Sequence, residues 1–288
     1  MSKLKLFIYI IILSCSSILY SQDSNPLYAV AVDFTPVLNT PDYDNVFGGA
    51  TRDSLKLDDQ GLIREMEFIA FPNTVFEIIE KIPKGDHSIF KVVTEDYPYK
   101  SSSLYVDSRF VEVTSTKPED RVKKMPGKSE ILQNIIKFEG YGYMWGGNYA
   151  VGIERMLTYY KPSSEIDTPL KNKWSLKGVD CSGLIYEATN GSTPRNTSSL
   201  IKYGRGLEIA GKTADEISGM LEPLDLIAWN GHVIIVLDKN TVIESTPDKG
   251  VHKTDLMKRI GEVMNERLPV NDWEGTEGLR FVVRRWAE

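Results

Sequence analysis

The apolar positions change period once along the chain. Between residues 28 and 113 they come in short runs rich in Val, Ile and Phe: YAVAV at 28–32, VFEIIEKI at 75–82, SIFKVVT at 88–94 and FVEV at 110–113. Pro36, Pro41, Pro72 and Pro83 punctuate these runs, and no long helical period interrupts them. Such runs between prolines predict strands, here a small all-β barrel or sandwich over 27–113. The stretch TSTKPEDRVKKMPG, 114–127, is polar, charged and proline-bearing, and reads as a linker.

From Lys128 the period lengthens. Ser129 stands where it could cap a helix in which Ile131, Leu132, Ile135 and Ile136 share a face. That helix stops at Gly140, and a glycine-rich turn, YGYMWGGN, follows. Residues 149–177 show no clear period. A second helix is expected from Cys181, with Leu184, Ile185 and Ala188 inward. HVIIVL (232–237) and TVIES (241–245) pattern as an antiparallel hairpin around Asp238, Lys239 and Asn240. A helix over 254–267 and a closing strand over 279–286 complete the reading. Helices first and strands after make 128–288 an α+β domain.

The first residues do not belong to either pattern. MSKLKLFIYIIILSCSSILYSQ has Lys3 and Lys5, an apolar run from Leu6 to Leu13, and small residues ending at Ser21. This is the pattern of a secretory signal peptide, 1–21, cut before Gln22. The run is too short for a membrane-spanning helix. The rival reading is a lipoprotein anchored through Cys15, against which bulky Leu13 counts. A secreted or periplasmic location is therefore expected.

Cutting there leaves Cys181 as the single cysteine, so no internal disulfide can form. A lone thiol in an oxidising compartment is either buried and inert or reactive by purpose. The 288 residues are 41% hydrophobic, enough for one large domain or two small ones. The net charge of −6, which would become −8 without Lys3 and Lys5, counts against a nucleic-acid binder. One Cys and three His without clustered spacing give no metal site, and no cofactor is called for. The glycine-rich turn lacks the Lys-Ser/Thr ending of a phosphate loop.

At a helix N-terminus the sulfur of Cys181 would sit near unpaired N–H groups and the positive end of the macrodipole, which favours a nucleophilic thiolate. Amide cleavage also needs a proton donor for the leaving amine, usually histidine. His87 falls in a loop of the β-rich half, and His252 in a polar stretch before a helix. His232 opens the strand HVIIVL and is the best base by elimination. Glu244 lies on the neighbouring strand. With a three-residue loop, 238–240, Ile234 faces Glu244, and His232 and Glu244 are diagonal neighbours on one face. With a two-residue loop they point to opposite faces. Each residue alone has a plainer reading: a structural cysteine, a hydrogen-bonded core histidine, a solvated strand-edge carboxylate. Tyr143 and Trp145 could be plain core aromatics.

Four blocks taken together resemble the NlpC-type bacterial cell-wall cysteine peptidases. They are Tyr143-x-Trp145-Gly146-Gly147, Asp180-Cys181-Ser182-Gly183-Leu184, Pro194-Arg195-x-Thr197, and Asp225-Leu226-Ile227 with Gly231-His232-Val233. The β-rich half is similar to the bacterial SH3-like domains that often precede that catalytic domain. The resemblance implies a papain-like fold with Cys181 on a helix and His232 on a sheet. It implies cleavage between γ-D-glutamate and an L-diamino acid in peptidoglycan stem peptides, so muropeptides would be the partners. It also implies substrate-holding roles for Asp180, Ser182 and Thr197, and an oxyanion donor in Tyr143. The chain departs from that pattern in three places. Glu244 stands where the family commonly has His. About thirty residues separate Gly147 from Gly178 where a few are usual, an insert suited to a lid or rim. The segment from Cys181 to Arg195 is slightly short. Two other functions stay open: an amidase or acyltransferase using another acyl donor, which the insert favours, and a non-catalytic cell-wall binding protein, which an inert Cys181 would mark.

Overall fold

The computed structural model describes residues 27–99, 102–273 and 278–287; the expected signal peptide, with Cys15, lies outside them. Seven strands of the first half form one antiparallel sheet: β1 (Leu27–Ala31), β2 (Thr35–Leu38), β3 (Met66–Ala70), β4 (Val75–Lys84), β5 (His87–Val93), β6 (Leu104–Asp107) and β7 (Val111–Thr114). Their order across the sheet is β3-β2-β6-β5-β4-β1-β7. The strands read as apolar runs because parts of both faces are buried. In β5, Phe90 joins a cluster with Ala29, Phe68 and Phe76, while the adjacent Ile89 joins another with Met66 and Phe110. β2, β3 and β6 escaped the sequence reading. They are four or five residues long, and β2 contains Pro36, which is tolerated beside an irregularity between Val37 and Leu38.

The second half carries helices α1 (Lys128–Lys137), α2 (Arg155–Tyr159), α3 (Thr168–Trp174), α4 (Cys181–Ala188), α5 (Ala214–Met220) and α6 (Leu256–Glu266). Its sheet contains β8 (Arg205–Gly206), β9 (Leu226–Trp229), β10 (His232–Val236), β11 (Thr241–Thr246), β12 (Gly250–Asp255) and β13 (Arg280–Arg285), in the order β8-β13-β9-β10-β11-β12. Along β10 the side chains alternate between two cores. Val233 and Ile235 pack with Leu184, Ile185 and Ala188 of α4. Ile234 and Val236 pack with Ile217 of α5 and Ile260 and Val263 of α6. The sheet is therefore sandwiched between helices, with α4 on one side and α5 and α6 on the other.

Three local expectations are corrected. Gly127, not Ser129, is the N-cap residue of α1, and Ile136 is 43% exposed, outside the face made by Ile131 and Ile135. The helix expected from 254 begins at Leu256, because 250–255 pair with β11 as a strand and Asp255 then caps the helix by accepting from Lys258 N at 2.8 Å. Residues 149–177 contain α2 and α3 and are not a free lid. Met156, Tyr160, Trp174 and Leu176 share one core with Tyr43, Phe47, Met66 and Phe110 of the first half. Trp174 is fully buried and its indole N–H donates to the Tyr160 carbonyl at 2.7 Å. Tyr160 stacks on Tyr43 with ring centroids 5.8 Å apart. The insert thus bonds the two halves through a common apolar interior.

Trp174→Ala opens a cavity in that shared core and is expected to cost about 3–5 kcal/mol. Urea unfolding of the two chains checks this, and a loss below about 1 kcal/mol would mean that the insert can be emptied without cost to the core.

Candidate active site

Cys181 is the first residue of α4, and Asp180 is its N-cap. The Asp180 side chain accepts from Gly183 N at 2.7 Å, so the first turn of the helix is closed around the thiol. Gly183 is required here by contact: a Cβ at this position would overlap the Gly147 carbonyl oxygen. Gly146 has φ +70°, and a Cβ on it would lie 2.6 Å from the Met66 carbonyl oxygen. The glycines of the turn and of the helix therefore let three backbones touch: β3, the turn, and α4.

A buried network locks that contact. Arg195, 2% exposed, donates to both carboxylate oxygens of Asp180, at 3.0 and 2.7 Å. The same guanidinium reaches Ser182 Oγ (2.6 Å), the Gly147 carbonyl (3.2 Å) and Asn148 Oδ1 (3.1 Å). Asn148 in turn pairs with the backbone of Ile69, accepting from its N–H at 2.9 Å and donating to its carbonyl at 2.8 Å. Asp180 also accepts from Ser182 Oγ at 3.0 Å and Gly146 N at 3.1 Å. Asp180 and Ser182 are thus engaged in internal bonds. Arg195 stood in a quoted block without an assigned part; a buried Arg needs an acid, and the nearest motif acid was Asp180.

His232 sits at the start of β10, its ring nitrogen Nε2 2.6 Å from Glu244 Oε2. The strand pairing is the three-residue-loop register: Ile235 opposes Ile243 and Val236 opposes Val242. Glu244 is 2% exposed, which removes the solvated-edge reading. With Nε2 engaged, Nδ1 is the ring nitrogen left to exchange a proton with Cys181. The Cys181 sulfur is buried beside the turn that precedes His232, 3.9 Å from the Gly231 carbonyl oxygen. Thr197 Oγ1 accepts from Gly231 N at 3.0 Å and so fixes that turn.

Charge holds the pair together. Burial by itself lowers the affinity of His232 for a proton, but bonds to Cys181 and Glu244 outweigh it and raise its pKa to about 9. Burial likewise disfavours an ionised Glu244, yet bonds from His232 and Arg259 bring its pKa down to about 2. Arg259 of α6 forks onto the carboxylate, Nε to Oε1 at 2.6 Å and the terminal nitrogen to Oε2 at 3.0 Å. His252, on β12 opposite Glu244, lies 4.0 Å from Oε1. Arg259 was absent from the sequence reading. Its signal is its place on the flank of the apolar stripe made by Leu256, Ile260 and Val263.

Tyr143 is half-buried in the glycine-rich turn that follows α1. Burial first, then the charges of Asp180 and Cys181, push its hydroxyl well above the usual range, so it stays protonated and able to donate. Side chains of the first half also meet the second half close to these motifs. Arg64 lies over the Trp145 ring at 4.2 Å. Tyr97 Oη donates to Glu67 Oε2 at 2.9 Å and accepts from Asn196 Nδ2 at 3.1 Å, while Tyr99 Oη accepts from Asn196 N at 3.1 Å. None of these four was legible as a site residue in the sequence.

No protein-family model matches the sequence, and no curated protein matches it. Solved structures similar to this chain are NlpC/P60 family proteins, at low scores. One from Bacillus cereus is 14% identical over 92% of this chain, which spans 64% of that protein's length, with a TM-score of 0.34. NlpC1 from Trichomonas vaginalis is 12% identical over 97% of this chain and 98% of its own, with a TM-score of 0.36. RipD from Mycobacterium tuberculosis, described as a non-catalytic NlpC/p60 domain protein adapted to peptidoglycan binding, is 18% identical over 55% of this chain and 95% of its own, with a TM-score of 0.33. Likeness of this degree leaves the chemistry to the geometry.

Two outcomes are expected from the site's charges. Arg195→Met strands a buried carboxylate and should cost about 3–5 kcal/mol in urea unfolding. The His232–Glu244 pair contributes fully between the ordinary carboxylate and imidazole values of 4.5 and 6.5, fades on acidification through about 2, and fades as pH rises through about 9. The melting-temperature gap between wild type and Glu244→Gln should therefore be wide at pH near 5.5 and narrower above about 9.5; equal gaps would show that the pair is not ionised in the folded chain.

Proposed function

We propose that this chain is a cysteine peptidase of peptidoglycan stem peptides that cleaves the bond between γ-D-glutamate and the L-diamino acid. The observation that carries the reading is the line Cys181, His232, Glu244: a thiol at a helix N-terminus, a histidine beside it, and a buried carboxylate 2.6 Å from the far ring nitrogen. The substrate class rests on the four sequence blocks that resemble the NlpC-type peptidases. The first half acts as the SH3-like partner of the catalytic half and narrows the cleft through Arg64, Glu67, Tyr97 and Tyr99.

In this mechanism Cys181 attacks the γ-glutamyl carbonyl, and its proton is held on His232. The Cys181 N–H and the Tyr143 hydroxyl donate to the developing oxyanion. His232 then passes the proton to the leaving amine, the C–N bond breaks, and an acyl-thioester remains on Cys181. His232 next takes a proton from water, whose oxygen displaces the sulfur and releases the acid. Asp180 and Ser182 hold the first turn of α4 through Arg195 and would meet substrate only by trading one of those bonds; Thr197 positions the loop that carries His232. The insert, which as a lid would have argued for another acyl donor, is committed to the core.

Digestion of L-Ala-γ-D-Glu-diaminopimelate, read by mass spectrometry, tests this. Wild type should release L-Ala-D-Glu, and Cys181→Ala and His232→Ala should release almost none. Glu244→Gln should retain more activity than either; an unchanged rate in Glu244→Gln would remove Glu244 from the mechanism. No cleavage by wild type, with Cys181 alkylated no faster than a simple thiol, would sink the peptidase reading.

A further inference from the structure

We infer that Arg259 is a positioning residue of this site: its guanidinium fork fixes the Glu244 carboxylate in the plane from which His232 is aimed at Cys181. The inference rests on the peptidase reading for its catalytic consequence, but its geometry stands apart from the identity of the substrate.

A glutamate side chain has two staggered torsions and a broad, easily turned third at the carboxylate. A single bond to His232 at 2.6 Å does not hold the carboxylate plane. The two bonds from Arg259 do, because a planar fork meets a planar carboxylate at both oxygens. The fork is itself held. Leu256, Ile260 and Val263 bury the other face of α6 against the sheet, and Glu262 takes the free guanidinium nitrogen at 3.3 Å. Lys at this position would keep the charge and lose the plane.

The fork also moderates the field on the imidazole. The groups facing the pair are Cys181 from α4, His252 from β12, and Arg259 and Glu262 from α6. Arg267 lies beyond Trp229, its guanidinium 4.6 Å over an indole whose ring centroid is 5.2 Å from that of His232. A buried carboxylate beside His232 alone would hold the imidazolium proton so firmly that transfer to the leaving amine would be uphill. Arg259 makes the orienting unit nearly neutral as a whole, so the proton is held but can be given up.

The test uses the full chain and its three histidines, few enough to follow singly by NMR. In Arg259→Gln, His232 should titrate at a higher pH than in wild type, and kcat for dipeptide release should fall about tenfold with KM little changed, part of the ~10²–10⁴-fold that general acid–base catalysis supplies. Arg259→Lys should return the titration toward the wild-type value while leaving kcat below it. Glu266→Gln, an exposed position at the end of α6, should leave both near wild type. If His232 titrates unchanged in Arg259→Gln while wild type cleaves the peptide, the clamp is overturned and the peptidase stands. If wild type cleaves nothing, but His232 shifts upward and Cys181 alkylation slows in Arg259→Gln, the clamp stands and the peptidase reading falls. Should Arg259→Gln not fold, an Arg259→Lys chain with wild-type kcat overturns the inference by itself.

Discussion

The ion pair of Asp180 and Arg195 is buried, and a buried charge costs several kcal/mol unless every polar atom around it is matched. Here the match is nearly complete. The carboxylate receives two backbone N–H groups, a hydroxyl and a guanidinium, and the guanidinium also bonds a hydroxyl, a carbonyl and an amide oxygen. The partners come from two pieces of chain, the glycine-rich turn ending at Asn148 and the first turn of α4, and Asn148 also pairs with a strand of the first half. Such a network has one low-energy arrangement. The direction in which Cys181 leaves its helix follows from it, and so does the seating of the first half against the second.

The other end of the site is organised by opposite means. Around Glu244 charges are shared instead of paired off. One carboxylate sits among Arg259, His232 and His252, all within 4.0 Å. The arginine on the helix behind takes both oxygens of that carboxylate, so His232 does not hold it alone. The rigid network holds Cys181, and the shared one holds His232. The two meet at the turn through Gly231, whose carbonyl faces the Cys181 sulfur and whose N–H is tied to Thr197.

Much of the second half could be read in the sequence because its signals are local. The apolar period placed α4, and a three-residue loop at 238–240, one of the two open alternatives, put His232 and Glu244 on one face. What could not be read depends on contacts distant in sequence. Arg259 lies fifteen residues beyond Glu244, and only the packing of α6 brings it back. Asn148 and Ile69 are 79 positions apart. The insert looked aperiodic because its helices are five and seven residues long and its apolar side chains face a core supplied by the other half. Strand β2 was hidden by a proline that a ladder irregularity absorbs.

The three touching backbones beneath the site also bear on how such a protein could diversify. At Gly146 and Gly183 no side chain can be added without parting β3, the turn and α4. The backbone packed around Cys181 is therefore closed to variation by substitution. Room for change remains at part-exposed contacts between the halves, such as Arg64 over Trp145, which do not bear on the backbone around Cys181.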